Sequence, residues 1–335
     1  MAGEKMAYFS SLGVGKETVW GTKVAPTLHL PIRSETIDLK KNLIQRPGVR
    51  KKRGRTQPVL GGWRSDGDIV FEVDPDNIGL ITGMALGSES AVTTLSTSAA
   101  FRHQFKLASV SLPSFTVEID KQAKTFQDGG NIINRYVLSY QPNEILLATV
   151  GVVSRGNQVS SSTTTATYST KLPFHYGMTS SISIGGSANA LVRDWEITLE
   201  NNLVVEKPTV ADSLYITEPD LGQAKVTGRA TLYFNNANEY ERFWGTVGDT
   251  APGTSLTTFA ISCSIQHTTA IGATVYPYRL AAICPAATYT SAPANISDPE
   301  GPIQQTITWE AFEGSAASYN DLVVEVDDAQ AGVYI

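Results

Sequence analysis

Cysteine is nearly missing from this 335-residue chain. Its two cysteines, Cys263 and Cys284, are too few for a disulfide framework. They sit in neighbouring strand-like runs, where a free thiol behaves as a small buried hydrophobe. Histidine is almost as scarce, with only His29, His103, His175 and His267. None has a second histidine, cysteine or carboxylate at ligand spacing, which speaks against a zinc site. No apolar run approaches the roughly 18 residues of a membrane span. The start, MAGEKMAYFSS, lacks the basic stretch and apolar core of a signal peptide. The expectation is a soluble protein made in a cytoplasm, with no membrane contact. Catalytic motifs are missing too. Gly13-Val14-Gly15-Lys16 has the outline of a phosphate loop, but Ser10 stands where the first glycine belongs and Glu17 where Ser or Thr is needed. No G-x-S-x-G elbow occurs.

What is present is a chain long enough for two domains of ordinary size. Charged residues are modest at 17%, while Thr, Ser, Val, Ile, Tyr and Gly are abundant, a mainly-β composition. The net charge of -6 does not suit a nucleic-acid binder. The charge is uneven, however. Arg33 to Arg64 holds ten Lys/Arg against two Asp/Glu, a local +8, so the remainder carries -14.

The stretch Gly67 to Gly87, GDIVFEVDPDNIGLITGMALG, organises the rest. Ile69, Phe71 and Val73 alternate with Asp68, Val70 and Glu72, the period of a half-buried strand. Pro75 ends the ladder, because it cannot donate to it. Asp76 or Asn77 is placed to cap a helix through Ile78, Ile81, Met84 and Ala85, with Leu80 close by and Gly87 as its stop. A weaker version recurs at Gly228 to Gly248. There Gly228 to Phe234 stands for Gly67 to Val73, and ANEYERFWG (237–245) for the helix.

In chain order, residues 1–31 read as an irregular arm. Residues 32–42 alternate as a strand, and 43–66 form a long basic loop containing RPGVRKKRGR. After the strand-helix unit, 88–100 is a surface connection. Strands follow at 101–108, 114–121, 132–140 and 144–154. Residues 156–169 are a Ser/Thr-rich surface loop, and a short strand in 171–186 lies near a domain boundary. The second half replays the first: 191–201 stands for 31–42, 223–234 for the strand and 257–267 for 114–121. Strands at 278–289, 303–312 and 322–327 end the chain. The order of elements marks an internal duplication with a period of about 160 residues. The domains expected are 32–180 and 181–335, after an arm of 1–31.

Two features invite a chemical reading. The carboxylate pairs Asp74/Asp76 and Asp327/Asp328 have the residue types of glycoside hydrolysis, but the first brackets a turn and the second falls in a tail. The basic segment offers Arg46, Arg50, Lys51, Lys52, Arg53 and Arg55, with Arg64 beyond them. These could contact phosphates or dock on an acidic protein surface. Only Trp63 accompanies them, so base-stacking platforms are poorly supported. The acidic remainder of the chain makes a second copy of the same protein the favoured partner.

These residues resemble a known family. Gly13 to Thr22, read as G-x-G-K-E-T-x-W-G-T, followed by Ala25-Pro26 and Leu30-Pro31, is similar to the opening of tail tube proteins (major tail proteins) of long-tailed bacteriophages. Gly67 to Gly87 resembles their strand, proline and apolar helix ending in Leu-Gly. The first half carries most of the likeness. The resemblance implies a mainly-β fold, here two tandem tail-tube-like β-sandwich domains with one short flanking helix each. It implies rings of six domains whose inner sheets join into a barrel, stacking into a tube in the virion tail that conducts DNA to the host. It implies contacts with tape measure, terminator and baseplate proteins, assembly in the host cytoplasm and no cofactor. The loop 43–66 would reach the adjacent ring, and an acidic lumen would repel DNA phosphates. The arm and residues 156–169 would order on assembly. Two domains per chain imply a trimer with pseudo-sixfold symmetry; the alternative is a hexamer with the second domain outside.

Three rivals remain at the level of sequence. A carbohydrate-binding or adhesin protein needs clustered aromatics, whereas Trp20, Trp63, Trp195, Trp244 and Trp309 are dispersed. A β-rich hydrolase would depend on Asp74 or Asp76. A terminator or baseplate ring would share the fold but never polymerise.

Overall fold

In the computed structural model, residues 4–96, 99–205, 214–296, 301–314 and 321–335 are described. The first set of elements is β1 (Ser11–Lys16), β2 (Leu28–Leu30), β3 (Ile32–Glu35), β4 (Asp38–Ile44), β5 (Val59–Glu72), α1 (Ile78–Leu86), β6 (Gly87–Glu89), β7 (Thr93–Ser96), β8 (Ala100–Leu107), β9 (Phe115–Asp120), β10 (Thr125–Tyr140), β11 (Leu147–Ser154) and β12 (Val159–Ser161). The second is β13 (Thr179–Ile184), β14 (Ser187–Ala188), β15 (Val192–Glu200), β16 (Lys225–Tyr233), α2 (Asn238–Trp244), β17 (Phe259–Ala270), β18 (Pro277–Ser291), β19 (Ala294–Asn295), β20 (Gln304–Phe312) and β21 (Val323–Asp328). The protein is mainly β, as its composition predicts.

One long sheet runs through both sets, in the order β3/β4, β5, β11, β10, β15, β16, β20 and then β18 with β19. All these ladders are antiparallel. β10 and β18 also leave this sheet to build outer ladders. The first half of β10 pairs with β9 and β12, and β9 pairs with β1. The first half of β18 pairs with β17 and β21, and β17 pairs with β13. Strands that switch sheets need a corner. Gly130 supplies it in β10 with a φ of 71°, at a register shift between Asp128 and Asn131. The ladders branch but close no ring among the described residues, so both ends of the long sheet are open.

The order of pairing is the same in the two sets: β1–β9–β10–β11–β5–β3/β4 repeats as β13–β17–β18–β20–β16–β15. Even the irregularities recur. β10 bulges between Ile133 and Arg135 against β11, and β18 between Tyr289 and Ser291 against β20. β3 bulges between Ile32 and Ser34, and β15 between Val192 and Asp194. Equivalent bulges at equivalent places extend the likeness of the two ladders, since a bulge is a specific local device.

The strand-helix unit forms as its pattern predicts. Ile69, Phe71 and Val73 are all fully buried. So are Ile78 and Met84, with Ile81 at 1% exposure, and each contributes roughly 1.5–3 kcal/mol by leaving water. Gly87 stops α1 in the left-handed region at φ 83°. The cap is displaced from its expected place. Asn77 is helical and gives no side-chain cap. Asp74 Oδ1 instead accepts the N–H groups of Asp76 (2.8 Å) and Asn77 (3.0 Å), reaching across Pro75. The other side of α1 is covered by the C-terminus: a Cβ on Gly79 would lie 2.4 Å from the Tyr334 ring, and one on Gly83 2.8 Å from Ile335. α2 buries only Glu239.

Further local expectations are corrected: the connection 88–100 carries β7 and runs into β8. The arm is not irregular throughout, because β1 and β2 pair with each other and β1 with β9. The basic loop is shorter than 43–66, because the β4–β5 ladder continues to Ile44 opposite Val59. Asp327 and Asp328 lie in the last strand, buried, rather than in a tail. Among the described residues, no helix is long and apolar enough to cross a membrane.

Candidate assembly surfaces

The β4–β5 hairpin projects its tip, residues 45–58, into solvent. Val59 and Leu60 at its base remain 46% and 37% exposed, opposite Ile44 and Leu43, and Val49 on the tip is bare. Arg46, Arg50, Lys51, Lys52, Arg53 and Arg55 all sit on this tip and are exposed. They make no hydrogen bond or ion pair with a described residue. Arg64 stands apart, inside β5, beside Asp66 at 3.7 Å. The sequence thus finds the cations, but it misses the exposed apolar side chains at their base. Cations above an apolar shank fit a protein surface better than a phosphate backbone alone. The corresponding connection between β15 and β16 spans 201–224, of which 206–213 lies outside the described residues. Its returning limb does not project, because Leu214 C=O accepts the Trp63 N–H at 2.7 Å.

The long sheet has one buried and one open face. Tyr136, Leu138 and Tyr140 of β10 and Trp195, Ile197 and Leu199 of β15 are buried. The alternate positions face outward in rows, for example Val70, Thr149, Val137, Thr198, Thr227, Glu310 and Thr288, each opposite the next. The carboxylates on this face are paired with cations. Asp68 meets Arg135 at 3.3 Å, Glu72 meets Arg33 at 3.2 Å, and Glu196 meets Arg229 at 3.3 Å. Glu310 lies 3.6 Å from Lys225. Cross-strand pairs on an open face add little stability, but they cancel field. The surface is Thr-paved and largely neutralised.

Other polar clusters hold the fold together. Glu17, in the arm motif, is 5% exposed. It accepts from Gly21 N–H, Ser114 Oγ, Thr116 Oγ1 and Gly130 N–H at 2.7–2.9 Å, tying the arm to β9 and β10. His103, fully buried, contacts Glu89 Oε1 at 2.6 Å and Asp328 Oδ1 at 3.2 Å. Burial works against its charge, but the bonds to Asp328 and Glu89 outweigh it and raise its pKa to about 9. Glu89 Oε2 accepts the Tyr334 N–H, so this cluster also pins the tail over α1. Asp74 is pushed up to about 6 by burial, against the backbone N–H groups it caps. Asp76 is engaged by Ser169 and Lys171. The Asp74/Asp76 pair is therefore spent on a turn and a tether. Asp327 is held by Arg102 in two bonds of 2.7 and 2.8 Å. Burial raises both cysteine thiols, Cys284 to about 12. Among the described residues, no group of three or more His, Cys, Asp or Glu side chains is arranged to hold a metal ion.

The subunit thus presents a long antiparallel sheet with open ends, an open face of paired charges and a projecting basic hairpin tip. The profile of the family described as phage tail tube protein matches residues 10–311, about nine-tenths of the sequence, and the chain belongs to that family. No individual curated protein matches it. The family anticipated from the Gly13–Thr22 and Gly67–Gly87 motifs is the one found. The protein is a structural component of the virion tail, and its membership implies assembly with itself and with other tail components.

Proposed function

We propose that three copies of this chain close a ring with pseudo-sixfold symmetry, and that rings stack into the tail tube through which the genome passes to the host. The observation that carries this is the repeated pairing order with its repeated bulges. Each chain brings two equivalent ladders, so three chains supply six; the first takes in β1, which lies outside the 32–180 expected from sequence, and the second opens with β13 at Thr179 rather than at 181. The join between β10 and β15 favours the trimer over a hexamer with an external second unit, because it places both units in one sheet. Three copies of the eight-strand row make twenty-four strands. At about 4.8 Å spacing and a tilt of about 40°, they would enclose a channel on the order of 50 Å across at the backbone.

The open, paired-charge face is the proposed channel wall. With its carboxylates matched by Arg33, Arg135, Lys225 and Arg229, it would offer passing phosphates neither a bare acidic barrier nor a run of free cations. The tip cations Arg46, Arg50, Lys51, Lys52, Arg53 and Arg55 would reach the next ring, with Leu43, Ile44, Val59 and Leu60 beneath them. Tape measure, terminator and baseplate proteins would meet the tube at its lumen and ends. Assembly in the host cytoplasm needs no cofactor. Head-to-tail stacking is heterologous and does not close, so it grows as a filament.

Negative-stain electron microscopy of the purified protein tests this. Tubes whose end-on averages show a hole with three-fold or six-fold symmetry are the expected outcome. Globular monomers at every concentration would overturn it. Deleting residues 48–56 should leave the subunit folded and halt stacking; tubes of normal length from that variant would refute the role given to the tip.

A further inference from the structure

The two open ends of the long sheet are the counterparts of two strands already paired inside the chain. Placing Gly228 on Gly67 lays β16 on β5, and β15 then falls on β3 and β4. Trp195 opposite Ala230 corresponds to Glu35 opposite Ile69, and Glu200 opposite Lys225 to Lys40 opposite Arg64. Likewise β18 and β19 fall on β10. Arg135, just past its bulge, corresponds to Ser291, and Leu138 opposite Ala148 corresponds to Ala294 opposite Gln305. The β10–β15 junction, residues 135–140 against 200–195, therefore has unpaired equivalents at 291–296 and 40–35.

We propose that residues 291–296 of one copy pair antiparallel with residues 35–40 of the next copy in the register of the β10–β15 junction. Ser291 then lies opposite Lys40, Ala292 opposite Leu39, Pro293 opposite Asp38, Ala294 opposite Ile37, Asn295 opposite Thr36 and Ile296 opposite Glu35. The seam rests on the ring assembly proposed above and gives it a specific contact between subunits.

The backbone groups face the right way. Asn201 N–H donates to Asn134 C=O at 2.7 Å, so the even-numbered residues of β10 present their N–H and C=O to β15. Their counterparts are Thr290, Ala292, Ala294 and Ile296. Pro293, which has no N–H, falls on the side facing β20 and does not interrupt the seam. On the other edge, Thr36 N–H is spent inward on Asp68 C=O at 2.9 Å. Glu35, Ile37 and Leu39 are thereby left facing outward.

Both edges are held meanwhile by their own side chains. Glu35 Oε2 accepts the Ile37 N–H at 3.1 Å, and Gln305 Nε2 donates to Ala292 C=O at 2.9 Å. Such capping blunts an edge that would otherwise pair indiscriminately. The edge is also bare where the internal junction is covered. Tyr140 is 5% exposed and stacks on Trp195 at 5.9 Å, whereas its counterpart Ile296 is 79% exposed. Because the two edges differ, the contact is heterologous and closes only as a ring.

Cysteine pairs read the register. Ser291 and Lys40 form a non-hydrogen-bonded pair, whose Cα atoms lie about 4.5 Å apart in an antiparallel ladder, within reach of a disulfide. The chain carrying both Ser291→Cys and Lys40→Cys, assembled and oxidised, should give a non-reducing gel ladder that ends at three chains. Asn295→Cys with Thr36→Cys should do the same, and Ser291→Cys with Thr36→Cys should not link. Cys263 and Cys284 are buried in the unsubstituted chain, away from these positions. Tubes that form under the microscope but stay uncrosslinked at the matched pairs, or link better at the mismatched pair, overturn the seam and leave the tube intact. A ladder reaching six keeps the seam and refutes the three-chain ring. Failure of the unsubstituted protein to form rings or tubes removes both. Hydrogen exchange on the unsubstituted protein needs no folding of variants: the Ile37, Leu39 and Ala294 amides should slow at least tenfold on assembly, and unchanged exchange in tubes would refute the pairing.

Discussion

His103 gives the subunit a pH signature that can be worked from its surroundings. The ring is fully buried between Glu89 and Asp328, and its Nε2 also lies 2.9 Å from the Gln330 C=O. Burial alone would lower its pKa; the two carboxylates reverse this and carry it to about 9. In the unfolded chain the value is near 6.5. A folded-state pKa raised above the unfolded one stabilises fully below the unfolded value and is lost as pH rises through the folded one. The window is thus about pH 6.5 to 9. At about 1.4 kcal/mol per unit, the loss across it is on the order of 3 kcal/mol. Urea unfolding of the full chain at pH 6, 7, 8 and 9 measures it, with His103→Gln as the baseline for every other titrating group. The variant should be weaker at pH 6 and have a nearly flat profile where the parent slopes downward. Parallel profiles from pH 6 to 9 would show that the imidazole is not held charged by Glu89 and Asp328. The same loss should loosen Tyr334 and Ile335 from α1, because Glu89 bonds both their N–H groups.

Raising salt from 0.15 M to 1 M shortens the Debye length from about 8 Å to about 3 Å and should weaken stacking of preassembled rings, read by turbidity or sedimentation; salt-indifferent tubes would assign the contact to Leu43, Ile44, Val59 and Leu60 alone. Gly228→Ala puts a Cβ 2.3 Å from the Trp309 ring and should destabilise by about 1–3 kcal/mol in urea unfolding, whereas a neutral result would mean that the ring shifts freely. Glu17→Ala strands two N–H groups and two hydroxyls in a buried site and should lower stability by about 1–3 kcal/mol or more, with the arm becoming protease-sensitive; an unchanged midpoint would refute its role as the arm's anchor.

The elements most legible in the sequence are those with one wet and one dry face. β5 and β15 alternate cleanly because one side packs and the other is open, and α1 ends where Gly87 can take the left-handed conformation. The arm strands escape the same logic. Gly13 and Gly15 look like breakers, yet they are strand residues pressed against the Pro26 side chain and the Ala25 backbone, where a Cβ would come within 2.6 Å. The distal β4–β5 hairpin shows no alternation because both its faces are wet, so its extent is invisible until the ladder is seen. The cap on α1 is missed because Pro75 moves the acceptor back to Asp74. Of the candidate surfaces, the tip cations are plain in the composition. The neutralised face is not, because Asp68 and Arg135 are 67 residues apart and meet only through the β5–β11–β10 order.

The pairing order repeats from the first set of strands to the second but the loops do not, and this difference bears on how rings would register on one another. Where β4 turns into β5, the chain sends six cations into solvent. Where β15 turns toward β16, the returning limb settles instead on the base of that first hairpin. There Leu214 bonds Trp63, and Tyr215 forms a parallel bridge with it. One loop of each chain is thus free to reach outward, and the described part of the other braces it. In a three-chain ring the wall would be sixfold in its strands, while the contacts to the next ring would be threefold. A ring could then seat on its neighbour at rotations of about 120° but not at the intermediate 60° steps that six equal tips would allow. The inner barrel of a tube would therefore average well under sixfold symmetry, and the stacking layer only under threefold.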